Sequence, residues 1–243
     1  METHPSLDKA NAYFDIQFGR TDSGRRVAVG PFITLSRESG TGGSALAEEI
    51  GRRLNRLQAV DKPVWTTFDR NLVTRMLEDH HLSTTLARFL PEDKVSDIDA
   101  SVGEIVGLHP SIRTLVHQTN SLMRRLASMG NVILVGRGAN LAATGTAHGL
   151  HLRLIAPSEQ RAQTTARGLG IAVDQAYVFN RKTDHARRDY VRSFFDADID
   201  DPSTYDLIVN LEHFTLDQTA DLVVSVLRSR GEIEWSSPAP GGS

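Results

Sequence analysis

Three glycines within four residues, Gly40, Gly42 and Gly43, followed by the hydroxyl of Ser44, make SRESGTGGS (36–44) the stretch whose residue types point most directly to chemistry. Such glycines let backbone N–H groups converge on anionic oxygens, and a helix beginning there adds the attraction of its dipole. Ser44 stands where a hydroxyl would coordinate Mg²⁺ beside a bound phosphate. The spacing fits G-x-x-x-x-G-K-[ST] begun at position 37, except that Arg37 replaces the first glycine and Gly43 the lysine. The alternative is a tight turn with flexible glycines. In the phosphate reading Ser39, Gly40, Thr41, Gly42, Gly43, Ser44 and Ala45 surround the anion. Arg37, at the mouth of the loop, is then the nearest source of the missing positive charge; its alternative is an ion pair with Glu38 or Asp69.

Two other stretches carry groups of the same chemical type. Between positions 161 and 192 lie Arg161, Arg167, Arg181, Lys182, Arg187, Arg188 and Arg192, against only Asp174, Asp184 and Asp189. Phosphoryl transfer asks a protein mainly for positioning and positive charge, and this segment could supply it. A solvated helix laced with i,i+3 and i,i+4 pairs is the competing explanation. Gly136-Arg137-Gly138 follows the apolar run NVILV, so Arg137 would point into a crevice at that strand's end. Asp69 follows VWTTF and could hold an acceptor sugar, assist Mg²⁺ through water, or cap the next helix.

The elements that would position these groups alternate in type. The patterning predicts strands over 31–37, 64–68, 131–136, 151–156 and 205–210, bounded by polar or glycine positions. Helical patterns are predicted over 44–57, from Asp69 onward, over 111–129, from 158 to about 168, from 173 to about 195, and over 216–227. The first of these would present Ala45, Leu46, Ile50, Leu54 and Leu57 along one side. Residues 82–109 read as broken helix around Pro91. Apolar strands separated by helices predict one three-layer α/β domain with a mainly parallel sheet. Ligands of such sheets sit at the carboxyl ends of the strands, which groups positions 37–44, 66–69 and 136–140. Residues 1–28 read as a polar extension, and WSSPAPGGS at the end has linker composition.

Composition narrows the function classes. The chain has 243 residues, 40% apolar and 23% charged, enough for a packed core. A net charge of −3 argues against a dedicated nucleic-acid or anionic-membrane binder. The absence of cysteine removes disulfides, thiolate metal sites and cysteine nucleophiles, and fits a cytoplasmic setting. No apolar run approaches the length of a membrane span, and the nine histidines show no metal-ligand spacing. The expected partner is a small molecule, with neither nucleic acid nor membrane involved.

ITLSRESGTGGSALAEEIGRRL, TTFDRNLV, NVILVGRGANLA, LRLIAPSEQRAQ and TDHARRDYVRSFFDADIDDPSTYDLIVN, in this order, resemble the cytidylate kinase-like family of P-loop proteins. The resemblance spans roughly residues 31–228. It implies a nucleoside-monophosphate-kinase-like fold: a five-stranded parallel sheet in residues 29–230, a helical acceptor-binding insertion at 82–125 and an arginine-bearing lid at 161–200, with 231–243 a tail. It implies Mg²⁺-ATP on the glycine-rich loop and transfer of a phosphoryl group to a nucleoside monophosphate such as CMP. By the same resemblance, Asp184 orients lid arginines, with Arg181, Arg187 and Arg188 the leading candidates, and Arg137 binds the phosphate or base of the acceptor. The loop departs from that of true cytidylate kinases, which ends G-K-G-T, and Gly138 stands where their G-R-D segment has its aspartate. Two other functions share these residues: a kinase of a non-nucleotide small molecule, and a nucleotide-binding regulatory module with little turnover.

Overall fold

The computed structural model describes residue 13 and residues 30–58, 64–69, 112–136 and 138–233. Five strands form one sheet: β1 (Phe32–Arg37), β2 (Thr66–Asp69), β3 (Val132–Val135), β4 (Gly149–Ile155) and β5 (Leu207–Asn210). Their order is β2-β3-β1-β4-β5, and every neighbouring pair is parallel. β1 therefore lies at the centre, with Phe32 opposite both Val132 and Gly149. Parallel neighbours need crossover connections, and the helices of those crossovers cover the sheet.

The helices are α1 (Gly43–Leu57), α2 (Ile112–Met129), the single turn α3 (Ala139–Ala142), α4 (Ser158–Leu169), α5 (Val173–Phe195) and α6 (Leu216–Ser229). Because side chains alternate along a strand, each face of the sheet collects its own set. One face is apolar through the middle of the three central strands: Ile33 and Leu35, Ile133 and Val135, and Leu150, Leu152 and Leu154 pack against Leu46, Ile50 and Leu54 of α1 and Val223 and Leu227 of α6. The opposite face carries Phe32, Phe68, Val132 and Leu134 under Leu122, Met123 and Leu126 of α2, with Tyr13 closing the cluster through a hydrogen bond to Gly130 O (2.6 Å).

This second face changes character toward β4. Going from Phe32 along β1, the side chains become Thr34 and then Ser36, and their register partners on β4 are His151 and Arg153. β1 and β4 are thus one-sided strands, where continuous burial in an apolar setting is expected from sequence. The polar strip runs to the carboxyl ends of the strands, where the glycine-rich loop begins.

Most elements fall within a residue or two of their expected bounds. In α1 the buried stripe is Leu46, Ala47, Ile50 and Leu54; Ala45 is exposed, because it lies at the open start of the helix. The helix expected after Asp69, the broken helix at 82–109, the extension 1–28 apart from Tyr13, and residues 234–243 lie outside the described residues. Of the expected insertion at 82–125, the part from Ile112 onward belongs to α2, whose Leu122 and Met123 are core residues.

Candidate phosphate site at the carboxyl ends of the strands

The loop between β1 and α1 is shaped by glycine backbone and then tied down. Gly40 and Gly42 have φ of 84° and 74°, in the left-handed region that favours glycine. Gly42 is the N-cap of α1, and no side chain caps that helix, nor does any acidic residue lie in its first turn. The first N–H groups of a helix have no intrahelical partner, so the open start of α1 suits an anion. Ser44 and Ala45 are exposed there. Ser39 and Thr41 are buried instead: Ser39 N–H donates to Asp184 Oδ1 (2.7 Å) and Thr41 Oγ1 donates to Glu38 O (2.9 Å). Of the seven loop residues expected from sequence, Gly42, Gly43, Ser44 and Ala45 sit at the helix opening, while Ser39, Gly40 and Thr41 hold the loop in shape.

Gly43 occupies the usual lysine position, and its surroundings show what has taken the lysine's space. A Cβ added there would lie 3.0 Å from Arg37 Cγ, 3.1 Å from Leu35 Cδ2 and 3.4 Å from Arg37 Cβ. The stem of Arg37 therefore crosses directly over Gly43. A side chain at 43 and an arginine at 37 compete for one volume, which connects the two departures from the common pattern.

Above the loop, α4 and α5 supply a fixed arrangement of charge. Asp184, 8% exposed, accepts from Ser39 N–H, from Arg161 Nη1 (2.7 Å) and from Arg187 Nη1 (3.2 Å). Arg161 also donates to Ser39 O and Ala156 O, both at 3.0 Å, and lies 3.4 Å from Glu38. Arg187 Nη1 reaches Arg37 O at 3.0 Å. Burial lowers the proton affinity of Arg187, opposed by Asp184 and reinforced by the like charges of Arg153 and Arg161. Arg188 donates to Asp200 Oδ2 (2.9 Å), and this bond raises its pKa.

A shallow depression at this point is lined by Arg37, Glu38, Arg153, Asp184, Arg187, Arg188 and Ile199. Four guanidiniums, those of Arg153, Arg161, Arg187 and Arg188, stand among three carboxylates, those of Glu38, Asp184 and Asp200, and Arg37 contributes its carbonyl oxygen to Arg187. A partly buried group with surplus positive charge is chemically suited to a phosphate dianion. No cluster of three or more His, Asp or Glu with metal-site geometry occurs among the described residues; Ser44, the expected Mg²⁺ ligand, is exposed at the start of α1.

Two of the other expected site residues, Arg181 and Asp69, lie away from the depression. Arg181 is exposed on α5, six residues before Arg187 and so about 9 Å farther along the axis, and it does not line the depression. Asp69 ends β2, opposite Val135; two strand spacings, roughly 10 Å, separate β2 from β1. Arg137 lies outside the described residues. Beside it, Gly138 has φ 64°, and a Cβ there would meet the Phe195 ring at 2.5 Å. Where the G-R-D pattern has a carboxylate, this chain has an aromatic edge.

Arg153 is the component that sequence reasoning missed. It reads as one polar residue within the apolar run HLRLIA, yet it is 4% exposed in the middle of β4. The signal was the alternation His151-Leu152-Arg153-Leu154, which marks one polar face.

A parallel sheet of this order, with a glycine-rich loop after its central strand and an arginine-bearing helical hairpin over that loop, defines a P-loop protein of the nucleoside-monophosphate-kinase type. The chain belongs to the cytidylate kinase-like family, whose model matches residues 32–213. It is 26% identical over 162 residues to a cytidylate kinase of Thermococcus kodakarensis, covering 67% of this chain and 81% of that one. Among solved structures, an uncharacterized protein from Eubacterium ventriosum shares the fold with a TM-score of 0.61 at 16% identity, over 82% of this chain and 99% of the other. Family and fold together place the chain among P-loop kinases, whose general chemistry is phosphoryl transfer. Among the described residues, no helix is long and apolar enough to cross a membrane.

Proposed function

We propose that the chain transfers the γ-phosphoryl group of ATP to a small phosphorylated acceptor, a nucleoside monophosphate such as CMP. The observation that carries this reading is the uncapped start of α1 beside the stem of Arg37, in a loop that Asp184 ties to Arg161 and Arg187. Backbone N–H groups of Gly42 to Ala45 hold the donor phosphates, and Arg37 supplies the cation that a lysine at position 43 would otherwise provide. Mg²⁺ bound at the Ser44 hydroxyl would offset charge on the donor phosphates. Asp184 holds Arg161 and Arg187 in place, so their orientation is set before the transition state forms. Arg187 and Arg188 stabilise charge on the transferring group, and the partial burial of Arg187 strengthens that effect by reducing solvent screening. Arg137, which follows β3 in the sequence, and Asp69, at the end of β2, are assigned to the acceptor.

The likeness to a cytidylate kinase supports a pyrimidine acceptor, whereas the packing of Phe195 on Gly138 supports a different acceptor, including a non-nucleotide one. Titration with Mg²⁺-ATP, followed by incubation with CMP, UMP and AMP, tests the reading. Formation of a nucleoside diphosphate supports it. ATP binding without transfer to any of the three overturns the nucleotide acceptor and leaves either another small molecule or a regulatory role.

A further inference from the structure

The buried arginine of β4 lines the depression, and its bonds lead straight to the lid. Arg153 Nη1 donates to Ser36 Oγ at 3.1 Å, and Nη2 donates to Asp200 Oδ1. The guanidinium lies over the Tyr205 ring, 5.6 Å from its centroid. Tyr205 is fixed in turn, donating its hydroxyl hydrogen to Ile199 O at 2.8 Å. The second oxygen of Asp200 accepts from Arg188 Nε. A continuous chain thus runs from the end of the central strand to the lid: Ser36, Arg153, Asp200, Arg188.

We infer that Arg153 is a positioning residue for phosphoryl transfer, which holds Asp200 so that Arg188 is presented at the phosphate depression. An arginine inside a sheet is costly to desolvate, and apolar residues of similar volume often stabilise a protein as well or better. Packing alone therefore gives no reason for it. Asp200 and Arg188 are each nearly half exposed, and an exposed ion pair on its own fixes little, since two side chains must give up freedom to hold it. Anchoring the carboxylate on a buried guanidinium fork removes that freedom, because Arg153 is fixed at once by Ser36, Asp200 and the ring of Tyr205. Adjacent on α5, Arg187 makes the companion tie to Arg37 O. Consecutive residues of β1, Ser36 and Arg37, thereby hold consecutive arginines of α5, one through Arg153 and Asp200 and the other directly. The relay sets the register of the lid against the loop.

This role rests on the kinase reading, and its test separates the two. Full-length Arg153→Met, Arg153→Lys, Arg188→Ala and the double variant Arg153→Met/Arg188→Ala are compared with wild type for Mg²⁺-ATP binding, turnover and the Arg188 Nε–Hε NMR signal. Arg153→Met is expected to lower kcat by roughly 10-fold or more, the scale of one charge-assisted contact, with the ATP dissociation constant within about 2-fold. It should also collapse the Arg188 Nε–Hε signal into exchange-averaged intensity. Arg153→Lys, which keeps the charge near Asp200, should recover part of the turnover. The double variant should be no slower than Arg188→Ala alone, because both changes remove one function. An undisturbed Arg188 signal, or losses that add in the double variant, overturns the relay. Loss of ATP binding and turnover in equal measure reduces Arg153 to a structural role. Wild type that transfers phosphoryl to no acceptor overturns the kinase reading and the positioning role with it, while the NMR signal still reports whether the relay itself is formed.

Discussion

Moving the positive charge of the loop from position 37 to position 43 is the perturbation that bears most closely on how this phosphate site is built. Arg37→Ala removes a guanidinium that we assign to the donor phosphates. A hydrogen bond to a charged group is worth about 1.5–3 kcal/mol, so affinity for Mg²⁺-bound, non-hydrolysable ATP should fall roughly 10- to 150-fold. Gly43→Lys alone should also be harmful. Its Cβ would press on Arg37 Cγ at 3.0 Å and on Leu35 Cδ2 at 3.1 Å. Leu35 is fully buried, so Arg37 must give way. Overpacking of this kind costs about 1–3 kcal/mol, offset by up to about 1 kcal/mol from replacing a helical glycine. The double variant Arg37→Ala/Gly43→Lys relieves the clash at Cγ and restores a cation, so it should bind better than either single variant. A coupling of about 1 kcal/mol or more is expected between sites that share one volume. Isothermal titration of the four proteins, with denaturant unfolding as a stability control, measures it. Binding by Arg37→Ala within about 2-fold of wild type, or losses that add in the double variant, would refute the exchange of roles.

Three further outcomes are expected. Arg187→Ala should lower kcat more than it raises the ATP dissociation constant, because lid charge acts mainly on the transition state; steady-state kinetics beside a binding titration will show equal losses if this is wrong. Gly138→Asp should destabilise by about 2–4 kcal/mol, combining a left-handed φ with overpacking against Phe195, and a thermal melt should fall by roughly 5–15 °C. In a Phe195→Ala background the same substitution should cost only the backbone part. Burial lowers the pKa of His151 below its ordinary 6.5, against the opposing pull of Asp206. The unfolded chain therefore takes up this proton first as pH falls below about 6.5, and stability should decline from there until the folded histidine titrates as well. His151→Gln should flatten that slope in denaturant unfolding measured across pH.

How much of this was legible in the sequence depended on whether the signal was local. The strand-loop-helix around SRESGTGGS follows from glycine spacing and helical periodicity, so its location at the end of β1 needed no structure. The order of the sheet is a long-range property that no local pattern carried, and the family resemblance supplied only the number of strands, five. Arg187 and Asp184 were readable because they lie three apart on a helix, the spacing at which side chains meet. Arg153 was not, because a lone arginine in a strand says nothing about a partner 47 residues away. The exchange between Arg37 and Gly43 was half visible: both departures from the common motif stand in the sequence, but their competition for one volume appears only when the Arg37 stem is seen crossing the glycine.

The central claim, phosphoryl transfer by a loop whose cation is an arginine, is tested most directly by ³¹P NMR of the protein with ATP, Mg²⁺ and CMP. Loss of the CMP resonance with growth of CDP and ADP in equal amounts at the expense of ATP, at least 10-fold slower with Arg37→Ala, is the predicted result. Release of inorganic phosphate alone, or transfer at an unchanged rate without Arg37, would contradict it.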